Sequence, residues 1–129
     1  MQFFVPGKPL SLKRHRFSRG RCYNPSAKDQ RAWSTRAIKF RPPELLEGPL
    51  EVSLDFVMPR PKFHSTMKSP PSFHILKPDV DNLAKFVLDC MNKTFYNDDC
   101  QVVTLLCRKV YGSETGTHVS IKNVVTLAT

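Results

Sequence analysis

One stretch of strict alternation, residues 50–57, limits the possible folds more than any other part of the sequence. Its apolar members are Val52, Leu54 and Phe56, and its polar members are Glu51, Ser53 and Asp55. Because successive side chains of a strand point to opposite faces, the pattern predicts a strand with one face in a core. The carboxylate of Asp55 is therefore expected on the solvated face.

A helical period follows in residues 79–91. Pro78 disfavours helix in the residue before it, which places Asp79 at or next to the N-cap of a helix. The apolar row of this helix consists of Val80, Leu83, Ala84, Val87 and Met91. Asp81 and Lys85, which are four residues apart, share the opposite face and can form an ion pair.

The remaining segments add strands and a second helix. Residues 2–5 read as a short strand, and Ser26 with Asp29 resembles a capping box at the start of a helix. Residues 100–110 carry apolar side chains on both faces, which is typical of a central strand, and residues 117–125 alternate again. This order predicts an α+β fold, a single small domain with a mixed β-sheet and two main helices.

Length and composition exclude several classes of protein. A chain of 129 residues is expected to form one domain, residues 1–129, with a modest core. No stretch approaches the roughly 20 consecutive apolar residues of a membrane-spanning helix, and the N-terminus lacks a signal-peptide pattern. The four cysteines show no close pair and, with the four histidines, lack the usual spacing of a zinc site. Reduced thiols and a cytoplasmic location are the simplest interpretation.

The positive charge is concentrated at the N-terminal end. The net charge is +9, and residues 1–41 hold eleven of the twenty basic residues but one of the eleven acids. Clustered positive charge indicates a polyanion partner such as nucleic acid, whereas the alternative is a solvated basic face.

A basic arm, residues 1–25, is the expected nucleic-acid contact. Gly20 suggests a turn between two short strand pieces, and Phe17 and Tyr23 either stack on bases or pack beneath the arm. The candidate phosphate contacts are Lys13, Arg14, Arg16, Arg19 and Arg21, together with Lys77 further along the chain.

A long proline-rich loop, residues 58–78, leads into the second helix. Its prolines are Pro59, Pro61, Pro70, Pro71 and Pro78. A connection of this length inside a small domain is unusual unless it has a function or is disordered, so we expect a mobile loop that faces the substrate.

Three carboxylates, Asp79, Asp81 and Asp99, lie at the predicted ends of elements, with Lys85 close by in sequence. Carboxylate oxygens are the ligands that Mg²⁺ prefers, and a metal ion held against a phosphate backbone explains acids within a basic protein. The alternative is a helix that is capped by Asp79 and carries one surface ion pair.

Two motifs resemble those of the RusA family of Holliday junction resolvases. The first is Asp79-Val80-Asp81-Asn82-Leu83 with Lys85 shortly after it, and the second is Asp98-Asp99-Cys100-Gln101-Val102 about one helix later. The segments Val5-Pro6-Gly7-Lys8-Pro9 and Lys109-Val110-Tyr111-Gly112 are also similar to that family.

The resemblance implies a small, two-fold homodimeric, magnesium-dependent endodeoxyribonuclease. It implies action on four-way DNA junctions by paired symmetric nicks, in recombination and repair, in the cytoplasm of a bacterium or of a phage-infected host. By matching position, Asp79, Asp81 and Asp99 would bind Mg²⁺, or Mn²⁺ in its place. Lys85 would be the essential lysine, and Asp98 is a weaker metal candidate.

Two other functions stay open at this point. One is a metal-dependent nuclease for other branched DNA, such as flaps or forks. The other is a non-catalytic nucleic-acid-binding module in which the acids serve as helix caps. Cleavage of a four-way junction that requires metal, and that is lost when the acids are replaced, would distinguish these functions.

Overall fold

The computed structural model describes residues 1–125. The strands are β1 (Gln2–Pro6), β2 (Arg16–Ser18), β3 (Arg21–Tyr23), β4 (Leu50–Met58), β5 (Val102–Tyr111) and β6 (Gly116–Asn123). The α-helices are α1 (Ala27–Ala37) and α2 (Val80–Met91). Short 3-10 helices span Ile38–Phe40, Lys62–Thr66 and Asp99–Gln101.

The main sheet is mixed and has four strands in the order β1-β6-β4-β5. β6 pairs antiparallel with both β1 and β4, whereas β5 runs parallel to β4. The helices contact each other, and they pack on the sheet through α1 with β1 and α2 with β5. Strands β2 and β3 form a separate hairpin. The predicted fold class, a single small α+β domain with two main helices, is confirmed.

Strand β4 forms as its alternation predicts. Its apolar members are buried and lie on the side of the helices, while its polar members are half-buried on the other face of the sheet. There Asp55 accepts from Arg108 Nε at 2.7 Å, on the neighbouring strand β5. Asp55 is thus engaged in a surface ion pair on the face of the sheet that carries no helix.

Helix α2 buries four of the five residues of the predicted apolar row and two further residues, while Val80 is half-buried. Leu83, Ala84, Phe86, Val87, Cys90 and Met91 are buried. Each large apolar side chain that leaves water in this way contributes about 1.5–3 kcal/mol. The exposed face of α2 carries Asp81, Lys85 and Asp89 at intervals of four residues. Packing therefore fixes which face of α2 is turned to solvent.

Strand β5 is at the edge of the sheet, so its prediction as a central strand is wrong. Its apolar residues Val103, Leu105 and Leu106 are 60%, 45% and 66% exposed. Apolar residues on both faces predict burial on both faces, but a single chain leaves these side chains uncovered. An exposed apolar edge strand is a surface on which another strand can pair.

The predicted capping box at α1 is also wrong. Ser26 occupies the N-cap, but its side chain makes no capping bond. Instead, its Oγ accepts from the backbone N–H of Lys13 at 2.8 Å, and its own N–H donates to Asn24 Oδ1. The hydroxyl therefore holds the basic arm against the start of α1.

The long proline-rich loop lies along the outer edge of β5. The N–H of His74 donates to the Lys109 carbonyl at 3.1 Å, and the N–H of Tyr111 donates to the Ser72 carbonyl at 2.9 Å. The buried His64 ring packs edge-on against Tyr111. These contacts cover the C-terminal end of β5. In the described part of the chain, residues 1–125, no helix is long and apolar enough to cross a bilayer.

Candidate metal and nucleic-acid site

Asp79 lies at the N-cap of α2 but does not cap it. Its side chain accepts no hydrogen bond from the helix, and it forms an ion pair with Lys77 at 3.1 Å instead. The two side chains are 51% and 87% exposed, so solvent screens this pair and its contribution is small. The Asp79 carboxylate therefore contributes little to the stability of the fold. The hydrogen bond that would make this side chain a helix cap is absent.

Asp81 and Lys85 share one exposed face of α2, as predicted. They do not form an ion pair: the pairs formed in residues 1–125 are Lys77 with Asp79 and Arg108 with Asp55. Asp81 lies in the first turn, where the helix dipole favours a negative charge. Both charged groups are thus free to meet a ligand from solvent.

Asp98 and Gln101 form a closed hydrogen-bond arrangement at the second acidic motif. Asp98 Oδ1 accepts from the N–H of Cys100 at 3.0 Å, while Gln101 Oε1 accepts from the N–H groups of Asn97 and Asp98. These reciprocal bonds make a capping box for the 3-10 helix. Asp98 therefore has a structural task, consistent with its place as the weaker metal candidate.

The pKa values of the two neighbouring acids move in opposite directions. The hydrogen bond from the Cys100 N–H lowers the pKa of Asp98. Partial burial raises the pKa of Asp99, and the nearby carboxylates of Asp98 and Asp89 add to the increase. Asp99 thus sits among negative charges, a situation that a bound cation would relieve.

The two acidic groups lie at opposite ends of α2. Asp79 and Asp81 are at its start, next to the end of β5, where Lys109 Nζ donates to the Pro78 carbonyl. Asp99 begins the 3-10 helix that leads into β5 and lies within electrostatic range of Asp89, near the end of α2. A helix of this length spans about 18 Å, because each residue adds about 1.5 Å.

The carboxylate oxygens of the acidic motifs are suitable ligands for a hard cation, but within one chain they lie at two separate places. In residues 1–125, no three His, Cys, Asp or Glu side chains come together in an arrangement that could hold a metal ion. Pairs of carboxylates do form, and all their donor atoms are oxygen, which suits Mg²⁺. The structure places Asp98 against Asp99 and leaves Asp79 and Asp81, which are two residues apart in sequence, at the other end of α2, so the two groups are not joined within one chain.

For three residues of this region, the sequence alone did not predict a role. Asp89 adds charge beside Asp99, Gln101 holds the second motif, and Lys109 contacts the segment before Asp79. The interval of eight residues from Asp81 places Asp89 on the same helical face, so periodicity could have found it. The capping box of Asp98 and Gln101 is a local pattern that could also have been found, whereas Lys109 acts through contacts distant in sequence, which no local pattern reveals.

All the side chains of the basic arm that are predicted to contact phosphates are exposed. The β2–β3 hairpin turns at Arg19 and Gly20, whose φ angles are 51° and 75°, values that suit a two-residue hairpin turn. Phe17 is 79% exposed, so the alternative in which it packs beneath the arm is wrong. The side chains of Lys13, Arg14, Arg16, Arg19 and Arg21 all face solvent, as does that of Lys77.

Two comparisons with known proteins bear on this site. The family model described as endodeoxyribonuclease RusA matches residues 6–122 of the chain, a range that contains most of the basic arm and both acidic motifs. A protein of Bacillus subtilis (strain 168), named uncharacterized protein YqaN, is 35% identical over 95 residues. That match covers 68% of this chain and 67% of the relative.

Proposed function

The chain belongs to the RusA endodeoxyribonuclease family, and from this premise we propose that it is a Mg²⁺-dependent nuclease that resolves four-way DNA junctions by paired symmetric nicks. Its role would lie in DNA recombination and repair. The observation that carries the proposal is that the side chain of Asp79 makes no bond to the helix it precedes, although the residue occupies the N-cap. A carboxylate without a structural task, beside others and in a basic protein, supports a task in binding a cation.

We propose that Asp79, Asp81 and Asp99 hold the metal, with Asp98 as a secondary candidate. A bound Mg²⁺, or Mn²⁺ in its place, supplies a site that orients and acidifies the attacking water and neutralises the phosphate. The carboxylates would bind the metal. Asp98 also stabilises the turn at Asp99, because it accepts a hydrogen bond from the Cys100 N–H.

Lys85 would contact the scissile phosphate. Its ammonium is exposed on the same face of α2 as Asp81 and forms no ion pair within residues 1–125. A lysine placed there would offset the negative charge that develops on the phosphate oxygens in the transition state. The arm residues and Lys77 would hold the flanking phosphates and set the position of the strand.

A two-fold homodimer, formed through the edge of β5, is the form in which we propose the protein acts. On the outer edge of β5, the proline-rich loop bonds to the backbone of Lys109 and Tyr111. Val103 and Leu105, whose backbone groups point to the same edge, have no strand beside them within residues 1–125. Two copies of β5 could pair antiparallel across a two-fold axis and cover these apolar side chains.

Such pairing would complete the metal site. If two β5 strands pair about Leu105, Val102 of one copy faces Arg108 of the other, so the 3-10 helix that begins at Asp99 in one copy would lie toward the Tyr111 end of the other β5. Tyr111 follows Lys109, which contacts the segment that carries Asp79 and Asp81. We propose that each metal is held by Asp79 and Asp81 of one copy and Asp99 of the other, which gives two symmetric sites for the two symmetric strands of a junction.

Cleavage of a substrate panel tests this function. End-labelled four-way, three-way, flap, fork and linear duplex DNA would be incubated with the protein, with and without Mg²⁺. We expect paired nicks on the four-way junction with metal and little cleavage of the linear duplex. Preference for flaps or forks would favour a nuclease for other branched DNA, and binding without cleavage in any metal would favour a non-catalytic module.

A further inference from the structure

Lys109 forms a bridge between β5 and the segment that precedes α2. It is half-buried and faces the helix side of the sheet, in register with the buried Phe56 of β4. Its Nζ donates to the carbonyl of Leu76 at 2.6 Å and to that of Pro78 at 2.8 Å. Hydrogen bonds from a charged donor are shorter and stronger than those between neutral groups. Lys109 thus holds two points of the chain on either side of Lys77.

The segment before α2 has few other means of fixation. Pro78 has no N–H to donate, and the Asp79 side chain does not cap the helix that follows. The carbonyls of Leu76 and Pro78 accept hydrogen bonds from Lys109 and from no other group in the described chain. The first turn of α2 itself is held by the bond from the Leu12 N–H to the Asn82 carbonyl and by the buried Leu83, but the backbone just before it is held by one side chain that lies 31 residues beyond Pro78 in sequence.

We propose that Lys109 is a positioning residue that fixes Asp79 and Asp81 for metal binding through the backbone in front of them. This inference rests on the proposed function, because it takes these two acids as metal ligands. A metal site needs its ligands held in one geometry, and residues that orient ligands typically change metal affinity about 10–100-fold when they are replaced. Lys109 itself touches neither carboxylate and is assigned no contact with DNA.

The test compares Lys109→Met with the unaltered chain and with a matched control. Methionine keeps an unbranched side chain of similar length and removes all donors. Lys68→Met is the control, because Lys68 lies in the proline-rich loop that Lys109 contacts, is exposed, and makes no hydrogen bond or ion pair within residues 1–125. Both variants lose one positive charge, so a general effect of charge on DNA binding is the same in the two.

Three readouts separate positioning from other roles. The first is the Mg²⁺ concentration that gives half-maximal single-turnover cleavage. The second is the binding of Mn²⁺, measured from the signal of the free ion by electron paramagnetic resonance without DNA. The third is hydrogen exchange of the amides of residues 76–83 without metal.

We expect the half-saturating metal concentration to rise about tenfold or more in Lys109→Met, with weaker Mn²⁺ binding to match. The rate at saturating metal should return to within a few-fold of the unaltered chain, since the ligands are still present. Exchange should accelerate in residues 76–83 but not in β4 or β6. Junction affinity without metal should fall no more than in Lys68→Met.

The inference is overturned if the metal dependence and local exchange of Lys109→Met match those of the control. It is also overturned if junction affinity falls well below the control while metal dependence is unchanged, because Lys109 would then be a DNA contact. If Lys109→Met does not fold, Lys109→Gln, which keeps one donor group, takes its place with the same criteria. Cleavage by the unaltered chain without any divalent metal would overturn the proposed function itself, which distinguishes the two failures.

Discussion

Asp98 and Asp99 are neighbours in the chain, yet their carboxylates are held in different ways. Asp98 accepts the Cys100 N–H at 3.0 Å and caps a 3-10 helix, and this bond lowers its pKa. The pKa of Asp99 is raised by partial burial and by the adjacent negative charges. The two neighbouring aspartates of one motif therefore have different roles: Asp98 is structural, and Asp99 is a candidate metal ligand.

This division leads to opposite expectations for two variants. Asp98→Ala should lower the melting temperature by a few degrees, because it removes the cap, while cleavage at saturating Mg²⁺ should fall only modestly. Asp99→Asn should keep or raise the melting temperature, since it removes a crowded charge, and should lose cleavage by several orders of magnitude. Thermal unfolding and single-turnover cleavage measure both. Equal loss of cleavage in the two variants, with equal stability, would remove the distinction.

The basic arm should dominate the salt dependence of DNA binding. We expect log affinity for a junction to fall linearly with log salt, with a slope of about −0.9 for each phosphate that is neutralised. Replacing Arg14 and Arg16 together by Ala should weaken binding and make the slope shallower by up to about two contacts. The control is the pair Lys68→Ala and Lys122→Ala, which removes equal charge elsewhere. Equal slopes for the two double variants would place the DNA on another surface.

The cysteines should differ in reactivity because burial raises the pKa of two thiols, Cys90 and Cys107, most strongly. The pKa of Cys90 is raised to about 12 and that of Cys107 to about 11. A raised pKa leaves less thiolate at a given pH, so at pH 8 both should be alkylated slowly, and their rates should increase as the pH is raised. Cys22 is exposed and should react first. Iodoacetamide labelling followed by peptide mass spectrometry checks this order, and labelling of Cys90 at the rate of the unfolded chain would contradict the fold around α2.

A site shared between two copies makes a prediction about mixed dimers. Asp81→Asn and Asp99→Asn should each abolish cleavage when present in both copies. In a heterodimer of the two variants, one site would carry both changes and the other would be intact. Co-expressed chains with different tags, purified through both tags, should therefore nick one strand of a junction. No recovery of nicking in such heterodimers, with dimer formation verified by light scattering, would place each site within one chain or the interface elsewhere.

The sequence predicted the parts of this fold that have a local period. The alternation around Leu54 and the helical row that includes Leu83 identified β4 and α2, because burial of one face imposes a period on neighbouring residues. The edge position of β5 could not be predicted from its sequence. Apolar residues on both faces indicate that both faces are buried, but not whether the burying residues belong to the same chain or to another copy.

The sequence names the candidate residues of the site but not their arrangement. The motifs supplied Asp79 and Asp99, but their separation by the length of α2 is a property of the packed fold. The hydroxyl of Ser26 follows the same rule: it satisfies a capping pattern locally, yet it bonds to Lys13, thirteen residues away. The bonds of Lys109 to the start of α2 likewise require the sheet and the loop to be in place.

We expect the carboxylates at the start of α2 to bind metal and not DNA. Asp81→Asn is the direct test, because asparagine keeps the size of the side chain and removes its charge. Asp55→Asn is the matched control, since it removes a carboxylate on the opposite face of the sheet, where Asp55 pairs with Arg108.

The measurement is a gel-shift titration without metal and a single-turnover cleavage assay with Mg²⁺, on the same four-way junction for each variant. We predict that Asp81→Asn binds the junction as well as the unaltered chain or better, because a carboxylate near a phosphate is repulsive, and that its cleavage falls by several orders of magnitude. Asp55→Asn should cleave nearly normally. Cleavage by Asp81→Asn at close to the unaltered rate, or a loss of binding in step with cleavage, would contradict the metal site.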